Sequence, residues 1–238
     1  MPVKTHAFVF ARGGSKGLPK KNLLSIGGVP LVGHSICTAQ RITEVDRVFV
    51  STDDEEIAAT ARSFGAEIIT RPPELARDDT SEWLAWQHAV SWAMRGHGDF
   101  GRFVSIPTTA PLRSDDDVRA CLESLTPEWD LVMTMTPSAR SPWFNMVTEG
   151  TNGELSLVNE QHGGISRRQD APLTFDLTTV AYAAWTSHIL ESNSIWGGSV
   201  RGVTVPFDRA LDIDSDHDFQ IAKWLLEKRK AINQLPGS

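Results

Sequence analysis

The feature that most constrains this chain is a short apolar run, Thr5-His6-Ala7-Phe8-Val9-Phe10, that passes directly into Ala11-Arg12-Gly13-Gly14-Ser15-Lys16-Gly17-Leu18-Pro19-Lys20-Lys21-Asn22. The run is rich in β-formers and reads as a buried strand. Three glycines and Ser15 let the backbone turn sharply and aim several N–H groups at one point, the physics of an anion-binding nest. Arg12, Lys16, Lys20 and Lys21 add positive charge within a chain whose formal net charge is -7, so the local field runs against the overall balance. The segment therefore reads as a triphosphate cradle rather than a solvated basic turn. It has neither G-x-G-x-x-G nor G-x-x-x-x-G-K-[ST], which argues against a dehydrogenase-type dinucleotide fold and against a P-loop.

The rest of the chain follows a strand–helix rhythm. Helical patterns at Pro30–Arg41, Glu55–Phe64, Ser81–Arg95 and from Ser114 onward alternate with strand-like Arg47–Ser51, Glu67–Ile69, Arg102–Ile106 and Asp130–Thr136. Such alternation predicts βαβ units and a mostly parallel, Rossmann-like sheet with helices on both faces. Thr52 or Asp53 is placed to cap the helix from Glu55, and Gly65 suits its C′ position. Trp83, Trp86 and Trp92 read as core or interface. From Pro137 to Phe175 the rhythm breaks into turn-rich sequence, including Glu149-Gly150-Thr151-Asn152-Gly153 and Gly163-Gly164. It resumes with a strand at Leu177–Trp185, a short helix near Ser187–Glu191, a strand at Gly202–Pro206 and a helix from Ser215 to about Lys230. The expectation is one domain, residues 1–238, with an inserted arm at about 137–175. An arm of that length is too long for a plain loop, and Trp143, Phe144 and Met146 make it an expected homodimer contact.

At 238 residues and 40% hydrophobic, the chain can bury one substantial core. An acidic pI near 5.5 argues against nucleic acid or anionic membrane as partners, and no apolar run spans a bilayer. With no leader at Met1, a cytoplasmic location is expected. Cys37 and Cys121, within apolar helical patterns, read as buried thiols rather than a disulfide.

Leu211-Asp212-Ile213-Asp214 sets two carboxylates at i and i+2, which in extended backbone point the same way and suit a hard cation such as Mg²⁺. Asp214 or Ser215 capping the last helix is the competing reading.

The first loop is similar to the A-R-x-x-S-K-G-x-x-x-K-N signature of the CMP-N-acetylneuraminate synthetase (acylneuraminate cytidylyltransferase) family, matching it at Ala11, Arg12, Ser15, Lys16, Gly17, Lys21 and Asn22. Ser51-Thr52-Asp53-Asp54-Glu55-Glu56-Ile57, Arg71-Pro72-Pro73-Glu74-Leu75-Ala76-Arg77-Asp78-Asp79-Thr80, Pro107–Arg113, Arg167-Arg168-Gln169 and Asp212–Phe219 resemble further motifs of that family. The resemblance implies transfer of CMP from CTP to the anomeric hydroxyl of a sialic-acid-like nonulosonic acid, releasing pyrophosphate. It implies catalytic roles for Arg12, Lys16, Lys21, Asp212 and Asp214, with Mg²⁺ on the two aspartates. Ala11, Gly13, Gly14, Ser15 and Asn22 fall at the nucleotide with Arg12, as do Arg71 (toward cytosine), Thr80 and Ser81. Thr109, Arg113, Arg167, Arg168, Gln169 and Tyr182 fall toward the sugar, Arg113 being equally readable as a loop anchor. It further implies an arm that covers the site of a second subunit, and a role in making cell-surface polysaccharide. Pro107 and Thr178 depart from the family's glutamine and asparagine, which leaves the sugar acid open. A CMP-Kdo-type or 8-amino-Kdo cytidylyltransferase is the alternative enzyme, and a non-catalytic nucleotide-binding protein the alternative of another class.

Overall fold

A computed structural model of the chain describes residues 3–159 and 167–233, so Gly163, Gly164 and Ser166 lie outside the described residues. Strand β1 (Thr5–Phe10) runs into the glycine loop, a 3-10 turn at Lys21–Leu23, and a two-residue hairpin of β2 (Ser25–Ile26) and β3 (Val29–Pro30). Then come α1 (Leu31–Arg41), β4 (Arg47–Thr52), α2 (Glu55–Ser63), β5 (Glu67–Thr70), α3 (Glu82–His97), β6 (Arg102–Ser105), α4 (Asp115–Ser124) and β7 (Leu131–Pro137). The arm carries β8 (Val147–Glu149) and β9 (Leu155–Leu157), after which follow β10 (Phe175–Trp185), α5 (Thr186–Glu191), β11 (Val200–Thr204) and α6 (Asp216–Asn233).

Seven strands form one sheet in the order β11-β7-β10-β6-β1-β4-β5. Every pairing in it is parallel except those of β10, which runs antiparallel between β6 and β7. Alternation along β1 shows why the sheet is covered on both sides. Ala7 and Val9 pack with α1, α2 and α4 residues such as Ile36, Ile57 and Val118, whereas Phe8 packs with Trp83, Trp86 and Val90 of α3. The sheet is thus the middle of three layers, as the periodicity predicts. Trp83 and Trp86 belong to this core, with Trp92 packed against it. Gly65 closes α2 at φ 83.

Cys121 is buried and Cys37 half-buried, both as free thiols; burial pushes Cys121 up to about 12. Among the described residues no helix is long and apolar enough to cross a membrane.

One local expectation is corrected. Asp54, not Thr52 or Asp53, caps α2 by accepting from the Ile57 amide at 3.0 Å, while the Thr52 hydroxyl accepts from Asp54 N. Asp53 is taken instead by the Gly13 amide at 3.0 Å. Thr178 is fully enclosed at a bulge in β10, where its hydroxyl donates to Thr134 Oγ1 at 2.7 Å and that oxygen also accepts from Ala181 N. Its presence is explained by the need to satisfy buried polar atoms where the ladder breaks.

Candidate active site

The glycine loop lies at the carboxyl end of β1, and its glycines serve close approach. Lys20 alone of the loop residues has a positive φ, 52°, so none of the three glycines is needed for left-handed backbone. Gly13 and Gly17 instead leave room for neighbours: a Cβ on Gly13 would lie 2.8 Å from Asp54 Oδ2, and one on Gly17 would lie 2.5 Å from the Asp214 carbonyl oxygen. The loop is therefore wedged between the start of α2 and the aspartate pair.

Lys21 makes that junction. Its side chain is 14% exposed, and its ammonium donates to Ile213 O at 2.7 Å and to Asp214 Oδ1 at 3.0 Å. Asn22 is buried inside the loop, donating to Arg12 O at 2.9 Å and accepting from Thr108 Oγ1 at 2.6 Å. These two bonds make Asn22 a tie between the loop and Thr108. Arg12 and Lys16 meet on one carboxylate, Asp78, at 2.6 and 2.5 Å. These two donors hold the Asp78 carboxyl below the usual range. Ser15 N donates to Gly13 O, while Ala11 is buried at the strand end and Gly14 is open on its Cβ side.

Ile213, fully buried against Ile26 and Leu31, alternates with half-buried Asp212 and exposed Asp214. The two carboxylates thus face away from the core, as the i, i+2 spacing predicts. Thr179 Oγ1 donates to Asp212 Oδ1 at 3.0 Å and itself accepts from Thr109 Oγ1 at 3.0 Å. Of the two capping candidates Ser215 takes the role: its hydroxyl accepts from Asp218 N at 3.3 Å, while the Asp218 carboxylate accepts from the amides of Asp214 and Ser215 and from the Ser215 hydroxyl. Two hard oxygen donors suit a Mg²⁺ ion that completes its shell with phosphate and water. No group of three His, Cys, Asp or Glu that would hold an ion alone occurs among the described residues.

Beside Arg12 opens a cavity of about 260 Å³ lined by Phe10, Arg71, Asp78, Thr80, Glu82 and neighbouring residues. Arg71 is buried in its wall, stacked over Phe10 at 5.6 Å, and fixed by Nε and Nη2 donating to Ser51 Oγ and O at 3.1 and 2.9 Å. Burial lowers its pKa, and Asp53 and Glu82 partly offset that. Thr80 is tied to Glu74 O, and Ser81 caps α3 by accepting from Trp83 N. Ser81 therefore works for the helix rather than lining the cavity.

Arg113 is corrected to the anchoring reading. It is buried, and its guanidinium donates to Val180 O at 2.8 Å, Ser35 Oγ at 3.0 Å and Pro107 O, so it fixes the 106–113 loop from behind. Tyr182 packs on Trp86 at 5.5 Å, and burial raises its hydroxyl pKa.

Arg168 and Gln169 line a different cavity in the arm, about 420 Å³, with Arg140, Ser138 and Leu173. It shares no lining residue with the Arg71 cavity. Arg167 is engaged bidentately by Asp170. Among the described residues of the arm, Met146, Val147, Leu155, Val158, Leu173 and Phe175 are exposed, as is Leu177 further along β10, whereas Trp143 and Phe144 are half-buried.

The sequence reading gave no role to Asp78, Glu82 or Thr179, and read Asp53 only as a helix cap. Asp78 stood in a quoted motif, but only the folded chain shows that it meets Arg12 from 66 positions away.

The fold, the basic loop after β1 and the carboxylate pair define a nucleotidyltransferase of the cytidylyltransferase class, and the family described as Cytidylyltransferase matches residues 6–96. A solved CMP:2-keto-3-deoxy-manno-octonic acid synthetase in complex with CTP has the same fold, with TM-score 0.69 at 18% identity over 95% of this chain and 99% of that one. The CMP-N,N'-diacetyllegionaminic acid synthase of Campylobacter jejuni is 31% identical over 92% of this chain and 93% of its own length. N-acylneuraminate cytidylyltransferase A of Danio rerio is 29% identical over 91% of this chain and 49% of its own length. The chain belongs to the acylneuraminate cytidylyltransferase (CMP-sialic acid synthetase) family.

Proposed function

We propose that this enzyme transfers CMP from CTP to the anomeric hydroxyl of a nonulosonic sugar acid, giving a CMP-sugar and pyrophosphate. The observation that carries the reading is the junction at Lys21, which ties a cationic loop to Asp214 of the carboxylate pair at 3.0 Å and to the Ile213 carbonyl between the two aspartates at 2.7 Å. Phosphoryl-type transfer leaves the protein little covalent work, so positioning and charge neutralisation dominate. Arg12, Lys16 and Lys21 would exchange Asp78 and Asp214 for the triphosphate oxygens and stabilise the departing pyrophosphate. Asp212 and Asp214 would hold Mg²⁺, which when bound supplies further neutralisation of phosphate charge. The cavity at Arg71 would take the base, with fixed guanidinium donors directed at its ring acceptors.

The arm is proposed to work in trans. Its exposed Val147, Leu155, Leu173 and Leu177 form a surface that a second copy would cover in a two-fold dimer. Arg168 and Gln169 would then reach the neighbouring subunit's sugar site, where a guanidinium pairs with the sugar carboxylate. On this reading residues 1–238 are one domain plus its arm, acting in the cytoplasm.

Pyrophosphate release from CTP, measured over a panel of nonulosonic acids, Kdo and 8-amino-Kdo, tests the reading. Turnover confined to nonulosonic acids supports it. Turnover with Kdo alone would move the enzyme to the eight-carbon class, and none with any acid would refute it. Mixing Asp212→Ala with Arg168→Ala subunits tests the arm: restored activity is expected, and none despite subunit exchange contradicts the trans arrangement.

A further inference from the structure

Glu82 is the acidic side chain in the Arg71 cavity that makes no salt bridge among the described residues, with Arg71 acting on it only through space. Of the two carboxylates in its lining, Asp78 is neutralised by Arg12 and Lys16, but Glu82 has no ion pair among the described residues. It begins α3 and opens to solvent through the cavity, while the protein packed around its carboxyl raises its pKa. The Trp86 indole N–H donates to Glu82 Oε1 at 3.3 Å, which fixes the carboxyl against the rigid face of α3. Trp86 itself is buried among Phe103, Tyr182 and Phe10, so the anchor cannot swing. Across the cavity, two of Arg71's three guanidinium nitrogens are held by Ser51.

The cavity therefore offers a fixed donor and a fixed acceptor beside an aromatic face. Cytosine presents acceptors at O2 and N3 and a donor at its N4 amino group along one edge. Uracil replaces the amino group with the O4 acceptor. A carboxylate accepting from cytosine N4 is a pairing whose geometry is well matched. We infer that Glu82 sets base selectivity, its carboxylate accepting from N4 of cytosine while Arg71 donates to the ring acceptors, and that uracil is rejected because O4 would bring a second acceptor to the same place. Two acceptors brought face to face repel and form no hydrogen bond, which is the penalty on uracil. The inference rests on the reading above that the nucleotide base enters this cavity.

Isothermal titration of CTP and of UTP, with magnesium and without any sugar acid, tests it in the wild type, Glu82→Gln and Glu82→Ala. Glutamine keeps the volume and an acceptor for Trp86 but can turn its amide to suit either base. The wild type is expected to bind CTP about tenfold to a hundredfold more tightly than UTP, the worth of one charge-assisted hydrogen bond. Both substitutions should bring that ratio to within about threefold, with circular dichroism and the Trp fluorescence spectrum showing an intact fold. A wild-type ratio that survives in both variants, or a wild type that binds the two nucleotides equally, overturns the inference while leaving the transferase reading in place. A wild type that binds neither nucleotide overturns both.

Discussion

Replacing Lys21 by Met separates the two jobs the structure gives it. Methionine keeps the length and apolar volume of the stem, so no cavity opens, and only the ammonium is lost. Asp214 is 75% exposed, so the ion pair with it contributes at most about 1 kcal/mol. The bond to Ile213 O is charge-assisted and made by a side chain only 14% exposed, so it contributes about 1.5 kcal/mol or somewhat more. Together about 2–3 kcal/mol of stability is lost, which for a chain of this length lowers Tm by roughly 4–12 °C. If Lys21 also meets the triphosphate as charge builds on the leaving group, kcat falls by about 10²–10³-fold. Scanning calorimetry and pyrophosphate release from CTP read the two effects on the same samples. Arg41→Met is the control: it breaks the surface pair of Arg41 with Asp115 at 2.7 Å and is expected to leave turnover unchanged. A Lys21→Met enzyme with the expected Tm loss but kcat and kcat/KM within about threefold of wild type would make Lys21 a strut and refute the reasoning.

Thr179→Val removes the hydroxyl that donates to Asp212 Oδ1 at 3.0 Å, and weakens divalent-ion binding about tenfold, as loss of a supporting hydrogen bond to a metal ligand does. Mn²⁺ titration followed by electron paramagnetic resonance checks this without turnover, and an unchanged affinity counts against it. The third prediction concerns His6, enclosed against Phe100 at 4.4 Å with Nδ1 unpartnered among the described residues. Burial, helped by Arg47 and His97 and opposed by Thr5 and Asp46, lowers its pKa below 6.5. The folded chain then binds fewer protons than the unfolded one below that pH, so stability is full above pH 6.5 and is lost as pH falls through the depressed value. His6→Phe should flatten the acid side of the Tm curve, and curves that stay parallel would show that other groups cause the slope.

Much of this molecule is legible in its sequence because local patterns carry it. The strand–helix rhythm carries the mostly parallel sheet and the helices that cover it, and Gly65 marks the end of α2, where it takes a positive φ. Sheet order is not so carried. Nothing local says that β10 enters antiparallel between β6 and β7, because that choice is made by long-range packing. The capping of α2 shows a similar limit: Thr52, Asp53 and Asp54 are all competent, and the outcome depends on Gly13 claiming Asp53 from another part of the chain. Arg113 reads as a ligand group or an anchor until its partners Val180, Ser35 and Pro107 are seen around it. The aspartate pair was legible because alternation within four residues fixes its direction, whereas the hydroxyls of Thr109 and Thr179 that support it come from two other segments. Glu82 escaped because a glutamate at the first position of a helix is ordinary; only the cavity distinguishes it.

The central claim is that the anomeric oxygen of a sugar acid attacks the α-phosphorus of CTP. It is tested most directly by supplying the enzyme with CTP and a nonulosonic acid carrying ¹⁸O at the anomeric hydroxyl, and locating the label by mass spectrometry and ³¹P NMR. The account predicts a CMP-sugar that keeps the label in the bridging oxygen between the anomeric carbon and phosphorus, with unlabelled pyrophosphate. A product whose bridging oxygen is unlabelled, or CTP cleaved with no CMP-sugar formed, would contradict it.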